Sequence, residues 1–414
     1  MSTHGTNPDD AVRHDAPPFA TKQHEATRWS AGAVVATLLL VTACSNNDDA
    51  ASTASDAMTP AETATTVGAE QPDPNDLSQV CFSPIVVQTD WFPQAEHGGI
   101  YELLGDDYQV DAERGATTGS LVFRGVDTGV DLEIRAGGPF IESPVVTEMF
   151  LDGSIMFGYV GTDVALSRQA ETPTLAVFNA LSVNPQVIMW NAEKHPAATT
   201  IADIAREVPA ISVFGDRPFM RFLVGEGVVP AEKVDGNYKG NLLLATDDVA
   251  HQGFATSEPY RYLNLDSGPI TVAYQLLHDT GWTSYPQNLA INKLRLDALR
   301  GCLTKLVPMM QHAQLDYIAD SARTNAIIIA AVKAFDTYWT QDESLTSYAV
   351  STMLSLGIVA NGETPTFGDF ESPRIDDFIA KAIPILRAQG VEVPDLTAAD
   401  VATNEFLDPT ISLP

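Results

Sequence analysis

The sequence predicts an α/β fold of mainly parallel sheets with helices on both faces, and three observations predict it. Between Pro84 and Gly225, apolar runs of strand length alternate with stretches of helical spacing, joined by short loops. Beyond residue 287 the pattern changes to long helical stretches. Hydrophobic residues make up 45% of the 414, enough for one large core or two ordinary ones at about 100–200 residues per domain.

Taken in order, residues 84–89 (PIVVQT) form a short β-branched run ending at a loop, and residues 130–134 alternate apolar and polar as a strand does. Residues 143–152 have helical spacing and stop at Gly153. Residues 155–160 are a second apolar run, and Gly161-Thr162-Asp163 then opens a helix. Further strands are expected at residues 175–178, 186–190 and 210–213, with helices starting at Thr200 and Pro218. Helical spacing then covers residues 287–314, 319–336, 345–356 and 375–389, the last two closed by Gly357 and Gly390.

The N-terminus carries a separate signal. A polar leader ends in Arg28-Trp29-Ser30, and residues 31–43 are an unbroken small and apolar run with Cys44 directly after it. That run falls short of the ~20 residues a spanning helix needs but suits a signal-peptide core. Leu40-Val41-Thr42-Ala43-Cys44 resembles a bacterial lipobox, although the leader is longer and more acidic than that pattern. Residues 1–43 are therefore expected to be a lipoprotein signal peptide, and Cys44 the lipidated residue. Residues 44–80, rich in Ser, Thr, Ala and Asp, bury too little apolar surface to offset their chain entropy and are expected to be a disordered tether. Cys81 and Cys302 remain as a candidate disulfide, the alternative being two unrelated buried thiols. Two thiols without a His or Cys cluster are too few for a metal site.

The net charge of −31, from 54 acidic and 23 basic residues, repels phosphate backbones and argues against nucleic-acid binding. His97-Gly98-Gly99 invites an esterase reading, but the chain has no G-x-S-x-G elbow; it also lacks H-E-x-x-H, a P-loop and G-x-G-x-x-G. The most distinctive stretch is D-W-F-P-Q-A-E-H-G-G-I-Y, running from Asp90 to Tyr101 where the first strand ends. In open α/β sheets that position is the ligand crevice. Trp91 offers a flat apolar face there, Asp90 and Glu96 accept hydrogen bonds, His97 donates or accepts, and Gly98 and Gly99 would let backbone approach a ligand.

That stretch resembles the first strand and loop of the periplasmic binding proteins that take nitrate, sulfonates, riboflavin and thiamine-pyrimidine precursors. E-M-F-L-D-G-S-I-M-F-G-Y-V-G-T-D, from Glu148 to Asp163, is similar to that family's helix, glycine turn and strand leading to a ligand-facing loop. Q-G-F-A-T-S-E-P-Y, from Gln252 to Tyr260, is similar to a later strand ending in Glu-Pro. The resemblance implies a two-lobe periplasmic-binding-protein fold of type II. Lobe one would be residues 81–182 and lobe two residues 183–287, with residues 288–414 returning to lobe one as C-terminal helices. The Cys pair would then staple lobe one. The implied ligand residues are Asp90, Trp91, Glu96, His97, Gly161, Thr162 and Asp163 from lobe one, and Asp216, Arg217, Glu258 and Tyr260 from lobe two. Asp216 and Arg217 depart from the family's small-residue turn.

The implied function is a monomeric, non-enzymatic, lipid-anchored solute-binding protein outside the cell membrane, delivering a small molecule to an ABC permease and ATPase without a cofactor or metal. An aromatic among carboxylates suits a heteroaromatic ring that donates hydrogen bonds, such as an aminopyrimidine or flavin, better than a sulfonate or nitrate. The alternatives are a binder of such small anions, a ligand-sensing lipoprotein, and an enzyme resembling a pyrimidine synthase, whose Cys-rich motif is missing from this chain.

Overall fold

Ile85-Val86-Val87-Gln88 is β-branched and buried on both faces, as a central parallel strand must be. It forms β1 (Ile85–Gln88) in a computed structural model that describes residues 73–240 and 242–414. The expected signal peptide, Cys44 and most of the tether lie outside these residues. After β1 come β2 (Gln109–Asp111), β3 (Ala116–Phe123), β4 (Val126–Arg135), β5 (Ile155–Val160) and β6 (Thr174–Phe178). The chain then crosses into a second sheet with β7 (Gln186–Asn191), β8 (Ile211–Ser212), β9 (Val234–Asp235), β10 (Ala250–Phe254) and β11 (Val272–Leu276), and returns as β12 (Asn288–Asn292).

The first sheet has the order β2-β3-β4-β1-β5-β12-β6 and the second β11-β7-β10-β8-β9. β1 runs parallel to β4 and β5, whereas β12 runs antiparallel to β5 and β6. In the second sheet β10 is parallel to β8 and antiparallel to β7. The two crossovers are tied together by a buried hydrogen bond from Asn184 Nδ2 to Ser284 Oγ at 3.1 Å.

The helices are α1 (Gly98–Tyr101), α2 (Val145–Leu151), α3 (Thr162–Arg168), α4 (Ile201–Glu207), α5 (Pro218–Gly225), α6 (Glu258–Leu263), α7 (Leu296–Ala319), α8 (Ala322–Phe335), α9 (Glu343–Ser355), α10 (Ser372–Ala388) and α11 (Ala398–Val401). Thr200 caps α4 in a reciprocal box with Asp203. α7 lays Leu299, Leu303, Leu306 and Met310 into the core under the first sheet, against Phe157, Tyr159 and Leu289. A second core joins both sheets: α10 contributes Phe378, Ile379 and Ile383 between Val146 and Met149 on one side and Ile204 and Leu223 on the other. α10 also braces the returning crossover, since Arg374 donates to Thr283 O at 2.9 Å and lies 3.7 Å over the Tyr285 ring.

Three expectations need correction. Residues 287–292 were expected to begin a long helix, but Asn288–Asn292 is β12, buried between β5 and β6; the helical spacing holds only from Leu296. The hairpin β3–β4 extends far beyond residues 130–134 and turns on Arg124-Gly125, both at positive φ (48° and 83°). Such a two-residue turn normally announces itself with Asn-Gly or Asp-Gly. The folded body also starts before residue 81. Leu77 is fully buried in the first core, its N–H bonds to Thr128 O at 2.8 Å, and Lys305 Nζ donates to Asp76 O at 2.8 Å. One large apolar residue is enough to draw the end of a polar segment into the core. Cys81 and Cys302 are disulfide-bonded, with Cα atoms 4.8 Å apart. Among the described residues no helix is long and apolar enough to cross a membrane.

Candidate functional site

The residues that follow β1, β5, β8 and β10 lie beyond the C-terminal ends of strands in the two sheets, where α/β sheets gather polar loop groups. The segments after β1 and β10 meet directly, through a hydrogen bond from Thr256 Oγ1 to Glu96.

The loop after β1 is held from below. Gly137 N–H bonds to Trp91 O at 2.9 Å and Gly138 N–H to Asp90 O at 3.2 Å. A Cβ on Gly137 would stand 2.3 Å from Thr89 O, so only glycine lets the chain leaving β4 pass this close. Asp90 accepts from Gln287 Nε2 at 2.9 and 3.1 Å and faces His97 Nε2 at 3.0 Å. A carboxylate accepts, so His97 presents Nε2–H there, and its Nδ1 is buried without a partner. The fully buried His97 ring packs 4.8 Å from Tyr159. Gln287, on the returning crossover, has φ +23°.

Trp91 meets Phe92 and Trp339 edge-on, at 5.6 and 6.0 Å, while Phe92 and Trp339 stack at 5.7 Å with planes 7° apart. Trp339 belongs to the loop between α8 and α9. Its Nε1 donates to Pro93 O at 3.2 Å, and the Arg261 guanidinium of α6 lies 5.1 Å over its ring. Arg261 Nη2 also donates to Thr340 O at 2.7 Å. This loop therefore ties the first lobe's aromatic wall to the second lobe.

Glu96 is 4% exposed and accepts a short hydrogen bond from Thr256 Oγ1, which follows β10 in the other lobe. Burial pushes the Glu96 carboxyl up, against the downward pull of Thr256. Glu258, at the start of α6, accepts Phe254 N–H at 2.7 Å; part of its surface stays open, yet burial raises its carboxyl too, and Glu96 adds to the rise. Asp163 is likewise raised by burial while Arg217, from the other lobe, draws it down.

Asp90, Trp91, Glu96, His97, Asp163, Arg217 and Glu258 stand on the segments that follow β1, β5, β8 and β10. The other expected residues make the following contacts within the protein. Asp216 is exposed, lies two residues ahead of α5, and is held by both Nε and Nη2 of Arg221 within that helix. Thr162 N–H and Oγ1 bond to Tyr285 O at 2.9 and 3.2 Å, which fastens a crossover, and Gly161 is the N-cap of α3. Tyr260 packs 5.3 Å from Tyr348. Gly98 and Gly99 do not offer backbone to a ligand: a Cβ on either would stand 2.1 Å from Tyr317 or Gln314 of α7. Sequence reasoning missed Thr256, Gln287 and Trp339. Thr256 sits inside the stretch from Gln252 to Tyr260, but the other two lie far along the chain from the loop they touch. Among the described residues no group of three or more His, Cys, Asp or Glu side chains could hold a metal ion.

No family model matches the chain and no curated protein matches its sequence. Its fold does match solved structures. The ligand-binding component of an ABC-type import system from Staphylococcus aureus, with zinc bound, aligns at a TM-score of 0.50 and 10% identity, covering 80% of this chain and 100% of that one. The chain has the periplasmic-binding-protein fold. The periplasmic aliphatic sulphonate binding protein from Escherichia coli aligns at 0.49 and 12% identity, over 79% of this chain and 94% of that one. The alkanesulfonate-binding protein from Xanthomonas axonopodis pv. citri aligns at 0.47 and 12%, over 78% and 100%. In the periplasmic-binding-protein fold seen here, the two sheets are the lobes, and the crossovers at Asn184 and Ser284 are where they join.

Proposed function

We propose that the chain is an extracytoplasmic solute-binding protein that closes its two lobes around a small molecule and hands it to an ABC-type permease, without catalysis. The observation that carries this reading is the contact from Thr256 to Glu96, which brings polar loops from the two lobes onto each other. The fold shared with an import-system component supports it. The apolar run ending at Cys44 supports export and lipid anchoring.

The chemistry of these loops favours a solute that donates hydrogen bonds. Asp90, Glu96, Asp163 and Glu258 offer carboxylate oxygens, while Arg261 is spent on Thr340 and Trp339, and the charge of Arg217 is partly offset by Asp163. An anion would meet more repulsion than attraction. With Trp91 as a flat neighbour, the preferred class is an amino-substituted heteroaromatic ring, such as an aminopyrimidine or flavin. Native mass spectrometry of the protein purified from its own cells reads the mass of any molecule that stays bound. Calorimetry with aminopyrimidines, flavins, sulfonates and nitrate then ranks the classes. Tight binding of an amino-substituted ring is expected; binding of sulfonate or nitrate alone would overturn the ligand class, and silence from the whole panel would count against capture itself.

A further inference from the structure

The loop between α9 and α10 brings two acids over a bare glycine. A Cβ on Gly362 would stand 2.5 Å from Glu371 Oε1 and 3.3 Å from Asp369 Oδ1. Gly362 is not among the residues at positive φ, so a side chain there is barred by the two carboxylates and not by the backbone. Asp369 is 8% exposed. Its Oδ2 accepts from Thr364 Oγ1 at 2.6 Å, but its Oδ1 is buried with no hydrogen-bond partner. Glu371 Oε1 accepts Glu363 N–H at 2.8 Å. Arg374, at the start of α10, is turned elsewhere: its Nε donates to Thr283 O at 2.9 Å and its guanidinium lies 3.7 Å over the Tyr285 ring.

A buried carboxylate oxygen with no donor is costly, and a second carboxylate beside it adds to the cost. A cation between them removes both terms. Burial raises the Asp369 carboxyl against the pull of Thr364, and the charge of Glu371 adds to the rise. The groups gathered at Gly362 are oxygens, which suit a hard cation, whereas zinc favours nitrogen and sulfur. Two carboxylates leave most of the coordination to backbone carbonyls and water. Calcium accepts such irregular oxygen sets, while magnesium demands a near-ideal octahedron. We propose that Asp369 and Glu371 bind a calcium ion beside Gly362. The ion holds a loop that touches both segments joining the sheets. Gly368 O accepts Asn179 N–H at 3.0 Å and Ile358 O accepts Val183 N–H at 3.3 Å on the outgoing crossover, and Tyr285 Oη accepts Glu371 N–H at 3.1 Å on the returning one. Its role is to stabilise this junction, and it needs no solute.

The test uses the full chain, stripped of metal by a chelator and kept at physiological ionic strength to screen its acidic surface. Calcium chloride is titrated in by calorimetry, and the melting temperature is followed alongside. One saturable site is expected, half-filled at about 0.1–1 mM as in calcium modules outside the cell, with a melt that rises as the site fills. Asp369→Asn keeps an oxygen for the Thr364 hydroxyl, and Glu371→Gln keeps one for Glu363 N–H. Each is expected to weaken calcium by about tenfold or more, since each removes a charged ligand. Gly362→Ala, which sets a methyl group against both oxygens, is expected to weaken it too. A wild type whose melt ignores calcium overturns the proposal and leaves Asp369 Oδ1 to a buried water. A response that only grows with concentration, as a diffuse surface atmosphere does, overturns it as well. So does wild-type affinity in either folded acid variant; if one of the two does not fold, the other decides.

Discussion

Gly98 has no room for a methyl group, because a Cβ there would stand 2.1 Å from the Tyr317 ring, itself buried and bonded to Asn325 Oδ1 at 3.0 Å. Gly98→Ala is expected to destabilise the fold by about 1–3 kcal/mol, the usual cost of overpacking. Gly153→Ala, where a Cβ meets nothing within 4 Å, should leave the thermal melt unchanged. The His-Gly-Gly triplet shows what a single sequence hides at this scale. Its residue types suit ligand contact, and nothing near it in sequence announces that Tyr317 and Gln314 lie against its backbone. His195 makes a second residue-scale case. Its Nδ1 meets Glu207 Oε2 at 2.7 Å and its Nε2 meets Asp248 Oδ1 at 3.0 Å, with Lys194 3.9 Å from the same Asp248 oxygen. Burial works against its charge, but the two carboxylates outweigh it and its pKa is raised. The clasp therefore stabilises the fold fully below the unfolded histidine value, about 6.5, and is lost as pH rises through the higher folded value. Melting temperature should fall more between pH 6 and pH 9 in the wild type than in His195→Gln; equal falls would show that the clasp carries no linkage.

Among the elements, those with a clear period were readable and those made by tertiary pairing were not. Residues 155–160 and 218–225 match β5 and α5, because an all-apolar run and a proline-started amphipathic turn each have one plausible partner surface. β12 was misread because Asn288–Asn292 runs directly into the spacing of α7, and only its burial between β5 and β6 makes it a strand. The loop from α8 to α9 gave no sign of its importance, since its partners Phe92, Pro93 and Arg261 lie at least 78 residues away in sequence. Trp339→Ala should cost about 1–2 kcal/mol through the lost stacking on Phe92 and the lost contact with Arg261. Trp339→Phe should recover most of that, because it keeps the ring and loses only the Nε1 bond to Pro93. Urea melts of the three proteins check the order, and a Phe variant as weak as the Ala variant would shift the weight to the hydrogen bond.

At the scale of the whole molecule, the α/β class was legible because repeated strand-loop-helix units leave few ways to arrange parallel sheets, and the two lobes only through the family resemblance of three short stretches. The contacts that close the lobes were not, since Glu96 and Thr256 are 160 residues apart and either could have been a surface group. The same distance in sequence makes the disulfide matter most at this scale. Cys81 and Cys302 are 221 residues apart and join the segment containing Leu77 to α7, within the core of the first lobe. Closing so long a loop in the denatured chain is worth up to about 5 kcal/mol on chain-entropy grounds. A reducing agent should therefore lower the wild-type melting temperature and leave that of the Cys81→Ser, Cys302→Ser double variant where it is, already low. Because the bond acts on the denatured chain, the reduced protein should keep its native ligand affinity at temperatures below its melt. Leu77 is also held by its own burial and by its N–H to Thr128 O, so reduction alone should not free the segment to proteases. Reduction combined with Leu77→Ala should. Cleavage before residue 81 in the reduced wild type would show that the disulfide, and not the Leu77 contact, is what keeps this end of the chain in the fold.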